Sequence, residues 1–151
     1  MAISCRVTRG DLTESIHVAF AVAVDKNGQI FFSSGDPNYL TCIRSSLKPF
    51  QAAASIKAGA IDSVKFSDEE IALMCASHQG EQIHTDKVFS MLQKLDLNIE
   101  DYECGAHAPS DKKTRYSLVK VSKFASSIHN NCSGKHAGML ALAKHLGKGI
   151  K

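Results

Sequence analysis

Tryptophan is absent from this 151-residue chain, and aromatic residues make up only 7% of it. That scarcity removes the stacking platforms on which single-stranded nucleic acid is held. No strong charge excess is present either: 18 Lys and Arg against 15 Asp and Glu leave +3, too mild for a nucleic-acid or membrane footprint. The longest apolar runs, Val18–Val24 and Met139–Ala143, are far too short to span a bilayer. The start, MAISCRVTRGDL, lacks a basic segment followed by an apolar stretch. Five cysteines without a C-x-x-C pair make a disulfide framework unexpected and fit a reduced, cytoplasmic protein.

What is present is an ordinary globular mixture, 44% hydrophobic and 22% charged. A chain of this length buries roughly 70% of its unfolded surface, so it needs no metal or disulfide to fold. Ile3–Thr8 and Ser15–Asp25 read as strands. Asp25-Lys26-Asn27-Gly28 supplies a hairpin turn, and Gln29–Ser34 reads as the returning strand, so an antiparallel meander is expected. Helical character begins after Arg44. One helix is expected over Ser46–Ala60, with Gly59 as its stop. Ser67-Asp68-Glu69-Glu70 is a capping box opening a helix through Cys75. Val88, Met91, Leu92 and Leu95 form one apolar helical face. Asn98–Asp111 reads as loop, Lys112–Lys123 as a weaker helix, and Lys135–His145 as the last one, ending at Gly147. Strands followed by helices predict one α+β domain over residues 1–151, an antiparallel sheet packed with helices.

Four short stretches carry chemically capable residues. In Arg44-Ser45-Ser46-Leu47-Lys48, a Ser-x-x-Lys on a helix places both side chains on one face. A neutral Lys48 could then take the proton of Ser45 and make it a nucleophile. The spacing alone is unspecific, because Ser110/Lys113 and Ser117/Lys120 share it. Context favours the Ser45/Lys48 match, which lies between a strand-like stretch and an apolar helix. The second stretch runs from Cys75-Ala76-Ser77-His78 to Glu81 and His84. Glu81 and His84 could share a metal, but a second pair is needed and none is visible. The third, Cys104-Gly105-Ala106-His107-Ala108-Pro109, reads as a rigid turn. The fourth, Asn130-Asn131-Cys132-Ser133-Gly134-Lys135-His136, gathers Cys132, Lys135 and His136 at a helix start, where a thiolate beside a lysine suits metal binding or reactivity. It lacks the first glycine and the Ser/Thr of a phosphate loop.

Taken together, RSSLKPFQ, CASHQGEQIH, CGAHAP and NNCSGKHAGML resemble, in content and order, the motifs of the Rhizobium-type L-asparaginases, the asparaginase II family. The opening ESIHVAF resembles that family's first strand. The resemblance implies a fold similar to serine β-lactamases and glutaminases. It also implies hydrolysis of L-asparagine to aspartate and ammonia by two Ser–Lys pairs near a zinc. On this likeness Ser45, the favoured nucleophile, and Lys48 correspond to the first pair and Ser77 to the serine of the second. Cys132 and Lys135 correspond to zinc ligands, and Arg44 and His136 to substrate-binding residues. Family members are roughly twice this length, so the chain resembles an N-terminal half. The second pair's lysine and the remaining zinc ligand would then lie outside it, leaving weak activity or none by itself. The alternative is a non-catalytic remnant acting as a binding or oligomerising module, such as a homodimer that covers an open sheet edge. The expected partner is a small molecule, with no nucleic acid and no membrane.

Overall fold

Asp25-Lys26-Asn27-Gly28 closes a hairpin, as its residue types dictate. The Asp25 carboxylate accepts the N–H groups of Asn27 and Gln29, both at 2.8 Å, and Gly28 takes φ 82°, open to glycine at little cost. The computed structural model describes residues 1–150. They divide into two compact units, Met1–Cys42 and the chain from Ile43 onward.

The first unit holds two separate two-stranded antiparallel sheets. β1 (Ile3–Arg9) pairs with β2 (Leu12–Ala19), and β3 (Ala21–Val24) with β4 (Ile30–Ser34). The expected meander is therefore corrected, because the segment Ser15–Asp25 breaks at Phe20. Its ring leaves the strand to stack on Tyr39, with centroids 4.4 Å apart and planes 3° apart. A Cβ at Gly35 would collide with that ring. Large side chains stay exposed along these strands, among them Leu12, Ile16, Val18 and Phe31.

The second unit is helical. A 3-10 turn over Arg44–Leu47 leads into α1 (Lys48–Lys57). The α-helix starts two residues later than the pattern predicts because Pro49 lacks an N–H and is tolerated only in a first turn. α2 (Ala60–Ser63) and α3 (Asp68–Cys75) follow. Next come α4 (Gln82–Lys94), α5 (Lys112–Lys120) and α6 (Ser133–His145). The expected capping box is formed at α3. Glu70 is 1% exposed, and its carboxylate accepts from Ser67 N–H (2.7 Å), Lys94 Nζ (2.7 Å) and Ser90 Oγ (3.0 Å). Burial alone would raise this carboxyl, but those three donors outweigh it and hold it below the ordinary range.

Val88, Met91 and Leu92 are buried on one face of α4, and Leu95 is buried at its C-cap, as their spacing predicts. They join Ile61, Phe66, Leu73 and Met74 in the core. α6 runs through this core, touching α1, α2, α3 and α4. Its buried positions are Ser133, Gly134, Ala137, Gly138 and Ala141, a stripe of small residues that lets neighbouring backbones come close. A Cβ at Gly134 would stand 2.6 Å from the Leu73 carbonyl oxygen, so α3 and α6 meet here backbone to backbone. The architecture is α+β. No helix among the described residues is long and apolar enough to cross a membrane.

Candidate functional site

The buried end of the site is a lysine. Lys48, the first residue of α1, is 2% exposed. Its ammonium nitrogen donates to the Ala76 carbonyl at 2.5 Å and to Ser77 Oγ at 2.8 Å. The acceptor carbonyl belongs to the C-cap residue of α3, where helix carbonyls lack intrahelical donors and carry partial negative charge. A buried cation is stable only with such partners. Lys48 thus reaches across to a loop 29 residues away rather than back to Ser45. Ser45 sits on the 3-10 turn before α1, exposed to solvent.

Ser45 and Lys48 nevertheless line one cleft of about 290 Å³, together with Arg44, Gln51 and Lys135. Its lining among the described residues carries three cations and no carboxylate, a field suited to an anionic group of a ligand. Arg44 holds φ 48°. The other non-glycine residues with positive φ, Lys65, Asp96 and Ser122, each follow a helix end; Arg44 begins one. A strained conformation of this kind costs on the order of 1 kcal/mol, and here it falls on a residue lining the cleft.

The other stretches are stitched to the Ser77 loop. His78 N–H donates to Asn131 O at 3.1 Å, and Asp111 N–H to Gln79 O at 3.0 Å. Asn130 Nδ2 donates to the carbonyls of Cys104 (3.0 Å) and Gly105 (3.1 Å). Asn131 N–H donates to His107 Nε2 at 3.1 Å. The four sequence stretches therefore gather in this unit, with Ser45, Lys48 and Lys135 at one cleft and Ser77 bonded to its lysine.

Cys132 is the N-cap residue of α6, half-buried, and Lys135 lies in the first turn of that helix. Burial first, with Cys132 adding to it, pushes the Cys104 thiol up. Among the described residues no group of three or more His, Cys, Asp and Glu is arranged to hold a metal ion. His136 lines a different cavity, of about 370 Å³, with Tyr102, Cys104 and Met139. Its ring stands edge-on to Tyr102 at 6.3 Å. Burial first, then Lys135 and Lys48, lower its affinity for a proton. His84, weighed as a metal partner of Glu81, instead stacks on His78 at 5.2 Å. Its Nδ1 is buried without a partner.

Sequence reasoning passed over Gln51 and His78. Gln51 stands one helical turn after Lys48, a spacing that could have found it. His78 is 5% exposed. Gly80 N–H donates to its Nδ1 at 3.1 Å, and its Nε2 bonds Ser133 Oγ at 2.8 Å. Burial first, then His84, Lys48, His107 and His129, push its pKa down to about 4. An unfolded histidine titrates near 6.5. Below that pH the unfolded chain takes up a proton that the folded chain refuses. Stability is then fully present above about pH 6.5 and falls as pH drops toward 4. His129 and His136, also pushed down by burial, act with the same sign. Urea unfolding is expected to show a loss of about 2 to 3 kcal/mol between pH 7 and pH 4.5. Equal stabilities at the two pH values would contradict this.

Compared with known families, the chain matches the model of L-asparaginase II over residues 5–151. No curated protein matches it.

Proposed function

The chain belongs to the L-asparaginase II family, and on that premise we propose that Ser45, Lys48 and Ser77 form an amidohydrolase site releasing ammonia from L-asparagine. The observation that carries the proposal is the buried Lys48, hydrogen-bonded to Ser77 and sharing a cationic cleft with Ser45. In this reading L-asparagine lies in the cleft with its α-carboxylate toward Arg44, a planar cation fitted to carboxylates. His136 completes the substrate-binding residues from the family likeness, although it lines the neighbouring cavity.

In this reading Lys48 first gives its extra proton to solvent; Ser45 Oγ then attacks the side-chain carbonyl carbon and its own proton passes to the lysine nitrogen. Ala76 O and Ser77 Oγ hold the lysine nitrogen in place, so no reorganisation is needed as charge appears on it. The C–N bond of the tetrahedral intermediate breaks, and Lys48 returns the proton to the departing nitrogen, which leaves as ammonia. Water then cleaves the acyl-serine in the same way and frees aspartate. The 2.8 Å bond between Lys48 and Ser77 favours one second reading, with Ser77 as nucleophile on the same lysine.

The family likeness implies Cys132 and Lys135 as zinc ligands. Two donors fall short of the three or four that zinc takes, and no cluster among the described residues completes the set. The donors present therefore do not fit a closed zinc site, and no step of hydrolysis is routed through the metal. Metal analysis of the purified chain is expected to find well under one equivalent of zinc. A full, tightly held equivalent would contradict this.

The test of function is ammonia release from L-asparagine by the chain and by its Ser45→Ala and Ser77→Ala variants. Release abolished by Ser45→Ala supports the first reading, and release abolished only by Ser77→Ala supports the second. Release that neither substitution changes rejects the proposal, and no release at all, even at high protein concentration, rejects it in favour of the alternative, a non-catalytic remnant.

A further inference from the structure

We infer that His78 is a positioning residue, whose imidazole fixes the Ser77 loop against Lys48 by tying that loop to the entrance of α6. The inference rests on the reading of Ser77 and Lys48 as a working pair. It is argued from the geometry around His78 itself.

Ser77 is exposed, and the side-chain hydrogen bond that reaches it comes from Lys48. A single bond at an exposed hydroxyl does not hold a loop, so the position of Ser77 is set by its neighbours. On one side, the Ala76 carbonyl is gripped by Lys48. On the other side, His78 makes three ties. Its backbone N–H donates to Asn131 O, its Nδ1 accepts from Gly80 N–H, and its Nε2 meets Ser133 Oγ. A backbone N–H can only donate, so Nδ1 is unprotonated and Nε2 carries the hydrogen. Ser133 Oγ donates onward to the Ile128 carbonyl at 3.0 Å, which leaves it to accept from His78. The bonds therefore run in one direction, from Gly80 through His78 and Ser133 to Ile128. Each member is satisfied in only that order.

The groups facing His78 keep the order fixed. Lys48 approaches from α1, His84 from α4, His107 from the loop before α5, and His129 from the 3-10 turn before α6. All are cationic or able to become so. A second proton on the ring would face them and would also turn Nδ1 from acceptor to donor, breaking the tie to Gly80. In acid the clamp opens at the residue next to Ser77.

The test compares His78→Gln, which keeps an amide donor near Nε2, with His78→Leu, which keeps bulk and loses both side-chain ties. Two readouts are used: kcat and KM for ammonia release, and the NMR resonance of the Lys48 ammonium nitrogen. His78→Leu is expected to lower kcat between about tenfold and a hundredfold, the scale of a misplaced reacting group, with KM within about twofold. It is also expected to shift the Lys48 resonance, with His78→Gln recovering most of both. A folded His78→Leu with unchanged kcat and an unchanged Lys48 resonance overturns the inference. If His78→Leu does not fold, acid titration of the unsubstituted chain decides. The Lys48 resonance must move as the His78 ring takes up its proton, and a titrating ring with a static Lys48 overturns the inference. If the unsubstituted chain releases no ammonia, the hydrolytic reading fails while the Lys48 resonance still judges the clamp.

Discussion

Replacing Lys48 by methionine is expected to cut ammonia release from L-asparagine about a thousandfold, within the usual range for loss of an acid–base group. The side chain is buried and similar in length, so methionine fills its path with little change in packing. What disappears is the nitrogen that bonds Ala76 O and Ser77 Oγ. Ala76 is only half-buried, so water can take up its carbonyl, and the stability loss should stay near 1 to 2 kcal/mol. The loss should fall on kcat rather than KM, because Arg44 and Lys135 remain in the cleft. Lys48→Arg is expected to be nearly as inactive, since guanidinium does not give up its proton. Steady-state kinetics on folded variants check this. A methionine variant within tenfold of the unsubstituted chain would remove Lys48 from the chemistry.

The second large effect is on stability. Gly134→Ala is expected to cost about 3 kcal/mol, at the upper end of overpacking penalties. The new methyl would sit 2.6 Å from the Leu73 carbonyl oxygen and 2.8 Å from its Cγ. A backbone oxygen cannot rotate away, so α3 and α6 must separate. α3 leads directly into Ala76 and Ser77, and α6 carries Ser133 and Lys135, so activity should fall with stability. Gly138→Ala is the control. Its methyl would meet the Met74 side chain from Cγ to Cε, which is flexible and can change rotamer, and a cost of about 1 kcal/mol is expected. Urea unfolding of both variants checks the contrast. Equal losses would contradict the backbone-to-backbone contact.

These two glycines show where the sequence was legible. Gly134 and Gly138 stand plainly in NNCSGKHAGML, but the partner of Gly134, the end of α3, lies some sixty residues earlier. Local signals fared best. The Ser67/Glu70 capping box and the apolar face of α4 depend only on residues within a turn or two, and both stand as predicted. Pro49 was a readable signal for the late start of α1. Gly10-Asp11 likewise marks the turn between β1 and β2. The break at Phe20 was not readable, because it depends on Tyr39 and Gly35, far along the chain.

The same distinction divides the candidate site. The Ser45–Lys48 spacing pointed the lysine at its near neighbour. The fold turns it toward Ser77, because a buried ammonium seeks the free carbonyl at the end of α3. Convergence of Ser45, Lys48, Ser77 and Lys135 was expected from the family likeness. The role of His78 was hidden, since a buried histidine that accepts one bond and donates another looks in sequence like any polar loop residue.

The central claim is that Ser45 is an acyl-forming nucleophile served by Lys48. It is tested most directly by mass spectrometry of the chain after exposure to an electrophilic asparagine analogue, one carrying a diazoketone in place of the carboxamide. One adduct is expected, on the peptide containing Ser45, protected by L-asparagine and absent from Ser45→Ala and Lys48→Met. An adduct on Ser77 in the unsubstituted chain, or labelling that survives both substitutions, would contradict it.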